Sequence, residues 1–370
     1  MSLDATTRAA RLASLRAGMA AAGLDAVAIV PGATQRYLLG TEFGLMERPT
    51  VLLVPLAGEL RMILPALEAP GWAALGIEVR VHAWRDNDGF EAAFRSALAD
   101  LPARAMGVEG QRMRVFESMA LRRHIQNAEV IDAQSVFAAL RLRKDAAEIA
   151  SLRRAIAISE AALTATLAHI RVGDTERAVH GRLVAEMFAA GAEALSFPPI
   201  VVSGARAALP HASAGDDRVQ AGDTLLFDFG VAVDGYCADI TRTVFVGEPV
   251  AEARALYETV LAANEAGRAA TLAGATAHAV DDAAQRVLEA SPFAAHILHR
   301  TGHGLGLDVH EAPQLMRGNH EALEEGTVVT IEPGLYVQGV RGVRIEDDVL
   351  VTADGPLTLT SFPRELMVVG

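Results

Sequence analysis

Four carboxylates and one imidazole in the C-terminal part of this 370-residue chain have the types and spacing of a metal-ligand set: Asp228, Asp239, Glu332, Glu346 and His303. Asp228 interrupts the apolar run TLLFDFG, and Glu332 interrupts VVTIEPG. A carboxylate among core hydrophobes is costly unless it is paired or bound to a cation. Both positions therefore point to a cation site rather than to solvated acids. Four carboxylates and one nitrogen donor suit two hard divalent cations with shared ligands. Oxygen-rich sets of this kind favour Mn, with Co, Fe or Zn as the other candidates.

The spacing carries a second message. Gly222, Asp228 and Gly230 are matched, 104 positions on, by Gly326, Glu332 and Gly334. Each trio opens a segment that reads as a hairpin: an apolar strand reaching an acid, a Gly-containing bend, then a second strand bringing the second acid. The first carries Asp228 and Asp239 around the turn signal at 234–235, and the second carries Glu332 and Glu346 around VQGVRGV. Asp-Gly between apolar runs is a strong hairpin marker. We infer a diverged internal duplication in which each half supplies two carboxylates. Two unrelated hairpins sharing a turn grammar would produce the same match.

Helices must position these hairpins. From about residue 140 the chain reads LRLRKDAAEIASLRRAIAISEAALTATLAHI, with apolar residues at 149, 152, 156, 163 and 167, a long amphipathic helix. Neither Asp145 nor Arg153–Arg154 stands out there as a strong cap signal. A second helix spans TERAVHGRLVAEMFAAG, and a third and fourth cover AEARALYETVLAANEAGRAATL and HAVDDAAQRVLEA. The order is helix pair, hairpin, helix pair, hairpin, an α+β unit stated twice. Before residue 140, strands at DAVAIV, TVLLVPL, ELRMILP, IEVRVHAW and RAMGVEG alternate with helices, as in an α/β domain with helices on both sheet faces. It holds no acid/base cluster and no complete phosphate-loop fingerprint. We divide the chain into 1–140 and 141–370, and expect the first part to shape access or mediate dimerisation.

Composition narrows the partners. The chain is 51% hydrophobic and 21% charged, with a net charge of −13 and no Lys/Arg-rich run, which argues against nucleic acid. One cysteine, Cys237, excludes an intrachain disulfide and thiolate zinc sites. Beside Asp239 it reads either as a nucleophile or as a small buried filler. The N-terminal segment is an amphipathic helix broken by Arg8, Arg11 and Arg16 rather than a signal peptide. No apolar stretch approaches the ~18 residues a membrane span needs. A cytoplasmic protein is the expectation.

Four histidines accompany the acids: His211, His299, His303 and His310. His303 and His310 lie in a glycine-rich segment, where Gly302, Gly304 and Gly306 leave room for a ligand. A site role is expected for His310 and His211, and His299 either joins them or lines a pocket.

The strings FPPIVVSGARAALPH, LLFDFGVAVDGYCADITRT, HRTGHGLGLDVHE, TIEPGLYV and GVRIEDDVLVT resemble the two-domain Xaa-Pro metallopeptidases, prolidase and aminopeptidase P. Residues 141–370 are similar to their pita-bread catalytic domain. RYLLG and LEAPGW resemble, more loosely, the creatinase-type N-terminal α/β domain. The resemblance implies that Asp239 and Glu346 bridge two metals, that Asp228 completes one site, and that His303 and Glu332 complete the other. Metal binding would lower a water's pKa to supply the nucleophile. Glu332 would act as general acid/base, and His211 and His310 would hold the scissile carbonyl and its oxyanion. Arg344 would either bind substrate or hold a ligand in place through a salt bridge. The proline ring is expected near Phe197, His299 and the HGLGL segment.

A creatinase-like C–N hydrolase or a non-enzymatic binding protein on this fold would have lost ligands that all stand here. Several prolidases carry an Arg four residues after the second histidine, suited to a dipeptide's carboxylate. This chain has Gln314, a neutral amide that cannot replace a bidentate guanidinium. Arg317 is the nearest substitute in sequence. The expectation is an Xaa-Pro aminopeptidase acting on longer peptides as a homodimer, with a dipeptide-restricted Xaa-Pro dipeptidase as the alternative.

Overall fold

A computed structural model describes residues 3–101, 103–125 and 128–370. The chain divides into two compact units, Met1–Arg141 and Leu142–Gly370.

The first unit is a six-stranded mixed sheet. Its order is Arg80–Trp84, Arg61–Pro65, Val51–Pro55, Ala26–Ile29, Ala105–Val108, Glu129–Asp132. The side chains of Ala26, Ala28 and Val30 join Phe94, Leu98 and Leu121 in one apolar cluster. Val27 and Ile29, pointing the other way, are equally buried. A strand buried on both faces needs helices on both sides, and this explains the uninterrupted apolar runs of the sequence.

The second unit holds the repeated α+β pattern. Helices Ala146–Leu167 and Glu176–Ala189 form one antiparallel pair, and Ala251–Ala270 and Ala277–Glu289 form the other. Their starts are chemically similar: Thr175 caps the second helix by accepting from the Ala178 amide, and Thr276 caps the fourth by accepting from Ala279. The first helix has a full capping box that the sequence reading passed over. Asp145 accepts from the amides of Ala147 and Glu148, while Glu148 accepts from the Asp145 amide at 2.8 Å. The basic pair Arg153–Arg154 distracted from this D-x-x-E signature.

Each hairpin is nested. In the first, Thr224–Phe229 pairs antiparallel with Ile240–Val246, while Val231–Val233 and Tyr236–Cys237 form an inner pair. Asp234 (φ 53) and Gly235 (φ 85) make its turn, with the left-handed backbone a tight hairpin requires. In the second, Val328–Ile331 pairs with Asp347–Thr352 around the inner pair Gly334–Val337 and Arg341–Arg344. The two hairpins meet directly: the Glu346 amide donates to the Thr241 carbonyl at 3.1 Å, and Thr243 Oγ1 exchanges hydrogen bonds with the Arg344 backbone.

Beneath this seam lies a fully buried ion pair. Arg242 donates to Asp347 at 2.8 Å and to the carbonyls of Thr241, Glu346, Phe362 and Pro363. Burial alone would raise the Asp347 carboxyl, but Arg242 and Arg364 overcome it and hold the group at about 2. Among the described residues no helix is long and apolar enough to cross a membrane.

Removing one partner of a buried pair leaves an uncompensated charge, which costs about 3–5 kcal/mol. Arg242→Met is therefore expected to lower unfolding free energy by that amount, measured by urea titration. A loss below about 1 kcal/mol would show that Arg364 alone suffices for Asp347.

Candidate metal centre

Each of the four acids and the imidazole expected at the site is placed by a strand end. Asp228 sits on Thr224–Phe229, and Asp239 immediately precedes Ile240–Val246. Glu332 follows Val328–Ile331 and Glu346 precedes Asp347–Thr352. His303 lies on the short strand Gly302–Gly304. Three overlapping groups result, in each of which one ligand atom per residue lies within 4.8 Å of the others: Asp228–Asp239–Glu346, His303–Glu332–Glu346 and Asp239–His303–His310.

These groups repel one another as they stand. Asp239 and Glu346 are buried, and burial followed by the neighbouring carboxylates pushes both well above the usual carboxylate range. Glu332 is pushed up to about 7 by burial, against the opposing pull of Arg344. The imidazole of His303 is driven down to about 3 by burial and then by His310. Its Nδ1 donates to the Gly304 carbonyl at 3.0 Å, so the neutral ring turns the lone pair of Nε2 outward. That lone pair faces Glu332 Oε1 at 3.4 Å and Asp239 Oδ2 at 3.7 Å. Asp228 Oδ1 is buried without a hydrogen-bond partner. Carboxylate oxygens and an imidazole nitrogen converging on one place fit divalent cations, which supply the missing positive charge and the missing bonds.

The surrounding side chains aim the ligands. Arg344 is buried and donates to Asp228 Oδ2, to Tyr336 Oη at 2.8 Å and to Thr241 Oγ1 at 3.0 Å. Thr241 Oγ1 in turn donates to Glu346 Oε2 at 2.6 Å. One guanidinium thus holds Asp228 directly and Glu346 through a hydroxyl. In this structure the contacts of Arg344 are those of a group that holds Asp228 and Thr241 in place.

The comparisons with known proteins agree with this chemistry. Residues 150–353 match the model of metallopeptidase family M24, and residues 11–143 match the creatinase/prolidase N-terminal domain. A Mycobacterium tuberculosis protein named as a probable dipeptidase, PepE, is 35% identical over 99% of this chain and 98% of its own length. A prolidase from Thermococcus sibiricus superposes with a TM-score of 0.94 at 32% identity, covering 100% of both chains. An X-Pro aminopeptidase from Thermotoga maritima superposes at 0.85 with 30% identity, covering 97% of this chain and 99% of that one. The chain belongs to metallopeptidase family M24. Its catalytic part has the pita-bread fold, preceded by a creatinase-type N-terminal domain, and it is a hydrolase of the kind that works with divalent metal ions.

The four acids and His303 line a cavity of about 810 Å³. Phe197, His211, His299, His310 and Arg344, all singled out from sequence, line it. His310 stands edge-on to His303 with ring centroids 4.1 Å apart. His299 is locked: Nδ1 donates to the Arg300 carbonyl, so Nε2 accepts from Tyr336 Oη, both at 2.7 Å. Burial and then Arg344 push it down to about 4, which keeps it neutral.

One reading needs correction, and one choice left open is decided. Gly302 and Gly304 do not clear a path for ligand; a Cβ at either would lie 1.9 Å from the Thr330 carbonyl oxygen or 2.1 Å from that of Ala312. They are glycines because neighbouring strands approach that closely. Cys237 is buried, with its thiol pushed up to about 12 by burial, so it is filler rather than nucleophile.

The sequence reading missed Tyr336, Thr241 and Arg300. Arg300 stands beside His299 in HRTGHG, a string scanned for histidines and glycines only. The other two look like ordinary strand residues.

Stripped of divalent ions, the enzyme is expected to become less stable as pH rises from about 4.5 to about 7. Glu332 is held up to about 7 when folded and titrates near 4.5 unfolded, so the folded state binds more protons across that window. Mn2+ should remove the trend, read as Tm against pH with and without metal. A metal-free Tm that climbs across this window would show that these acids are not crowded together in solution.

Proposed function

We propose that this enzyme hydrolyses the peptide bond between an N-terminal residue and proline, with two divalent ions, Mn first among them. The observation that carries this is the convergence of Asp228, Asp239, Glu332, Glu346 and His303 at the floor of a cavity walled by Phe197 and three further histidines. Asp239, Glu346 and His303 each belong to two of the three ligand groups, and of these only the two carboxylates have a second donor atom, so Asp239 and Glu346 would bridge the ions. Asp228 would complete one site, and His303 with Glu332 the other. Bound there, the ions would polarise the scissile carbonyl and activate water for attack.

The chain's own groups supply the rest. Glu332, which lines the cavity beside the other acids, would take a proton from the attacking water and give it to the leaving proline nitrogen. His211 and His310 reach the cavity from opposite chain segments and would donate to the oxyanion as it forms. Phe197, in the same cavity as the neutral His299, would offer an apolar surface to the pyrrolidine ring.

Two readings of substrate length each have an observation behind them. Gln314, in place of a carboxylate-binding Arg, favours Xaa-Pro-Yaa peptides and an aminopeptidase. The names of the relatives in Mycobacterium tuberculosis and Thermococcus sibiricus favour dipeptides. The acidic charge and the absence of a basic run leave nucleic acid out of the reading. A cytoplasmic homodimer completes it, tested by light scattering and cell fractionation.

Asp239→Ala and Glu346→Ala are expected to abolish Xaa-Pro hydrolysis and release at least one ion per chain, read by metal analysis. Either variant retaining two ions and near-normal turnover would defeat the bridging assignment. His310→Ala is expected to keep its metal and lose on the order of 10²–10³ in kcat. Metal loss in that variant would make His310 a ligand, as its grouping with Asp239 and His303 also allows.

A further inference from the structure

A dipeptide ending in proline brings a full negative charge close to the reacting carbonyl, and a cavity selective for it needs a cation with a free face. Three guanidinium groups stand near enough in the sequence to be considered. Arg344 is buried and committed to Asp228, Tyr336 and Thr241. Arg317, the substitute suggested by sequence, is turned to the surface helix: its Nη atoms donate to Glu289 at 2.5 and 3.0 Å, and Nε donates to Asp282 at 3.1 Å. Gln314 donates to the Glu311 carbonyl at 3.1 Å and is not among the residues lining the cavity.

Arg300, the third guanidinium, differs from both other arginines. It lines the cavity together with Asp228, Glu332 and His310. Among the described residues, the only hydrogen bond of its side chain is from Nε to the Gly302 carbonyl at 3.2 Å, and no carboxylate pairs with it. Both Nη atoms are thus left for a ligand. The base of the side chain is fixed on either side: the Arg300 carbonyl accepts from His299 Nδ1, and the Thr301 amide donates to the buried Asp281 at 2.8 Å. Its charge is felt at the floor of the site, where it helps depress His303 and His310 and opposes the rise of Glu332. A guanidinium anchored through Nε and open at both Nη atoms matches the fork geometry of a carboxylate. A volume of about 810 Å³ is ample for a dipeptide.

We propose that Arg300 is the specificity-determining residue that captures the free α-carboxylate directly after proline, making this cavity selective for Xaa-Pro dipeptides. The inference rests on the Xaa-Pro reading and extends it to a substrate length. Capture by Arg300 removes the need for a cation at 314. A longer peptide would set a neutral amide against the guanidinium and lose the charge-assisted pair.

The test compares a Leu-Pro dipeptide, its C-terminal amide and a matched tripeptide on the Mn-loaded enzyme, its Arg300→Gln variant and its Arg300→Lys variant. The unmodified enzyme should favour the free dipeptide over both other peptides. Arg300→Gln should lower kcat/KM for the dipeptide by on the order of 10–100-fold, mostly through KM, and lower that for the amide far less. The preference for the free carboxylate should therefore collapse. Arg300→Lys should retain part of it, and both variants should bind metal as the parent does. An equal loss for dipeptide and amide, or a parent enzyme that favours the tripeptide, overturns the assignment of Arg300 while leaving Xaa-Pro hydrolysis standing. No hydrolysis of any of the three overturns the Xaa-Pro reading itself, and this inference with it.

Discussion

Mutual repulsion among Asp228, Asp239, Glu332 and Glu346 is the constraint on which the rest of the catalytic part depends. Four acids and the lone pair of His303 Nε2 converge on a volume from which solvent is largely excluded. Such an arrangement persists only if cations occupy it and if the framework resists relaxing away from it. The need for cations explains why the acids are carboxylates crowded beyond what protein contacts alone satisfy. The need for rigidity explains what surrounds them.

Rigidity comes from two nested hairpins that meet edge to edge. The Thr241–Glu346 backbone bond and the Thr243–Arg344 exchange stitch one hairpin to the other. Arg242 then closes the seam from below, with every donor it uses directed at a carbonyl or at Asp347. Arg344 closes it from above, restraining Asp228 and, through Thr241, Glu346. Two buried cations on adjacent strands thus serve opposite ends of the same problem. One offsets a structural carboxylate and the other orients functional ones. The helix pairs behind the hairpins, capped by Asp145, Thr175 and Thr276, hold each strand set against its own apolar face.

The wall of the cavity obeys a different logic from its floor. At the floor every polar atom is either tied to protein or converges on the cation volume. At the wall, His299 is fixed as a neutral acceptor by Tyr336 and the Arg300 carbonyl, while His211 and His310 remain exposed. The acids at the floor are thus held in place before any ligand arrives, whereas His211 and His310 at the wall keep hydrogen-bonding capacity for a ligand.

The sequence by itself determined the four acids and the histidine that the fold brings together, the repeated hairpin order and the helix pairs, because each rests on local pattern. An acid inside an apolar run, an Asp-Gly turn and a 3.6-residue stripe all announce themselves within a few residues. The same locality misled at Gly302 and Gly304, where the reason for glycine is a strand distant in sequence, and at Asp145, where basic neighbours obscured the cap. Only the tertiary structure decided which cations are free. Arg317 looked available in sequence and is bound to Glu289 and Asp282, whereas Arg300 looked ordinary and is open to the cavity. A charged side chain's availability depends on which carboxylates the fold brings within about 4 Å of it, and that distance is set by long-range packing that no spacing along the chain encodes.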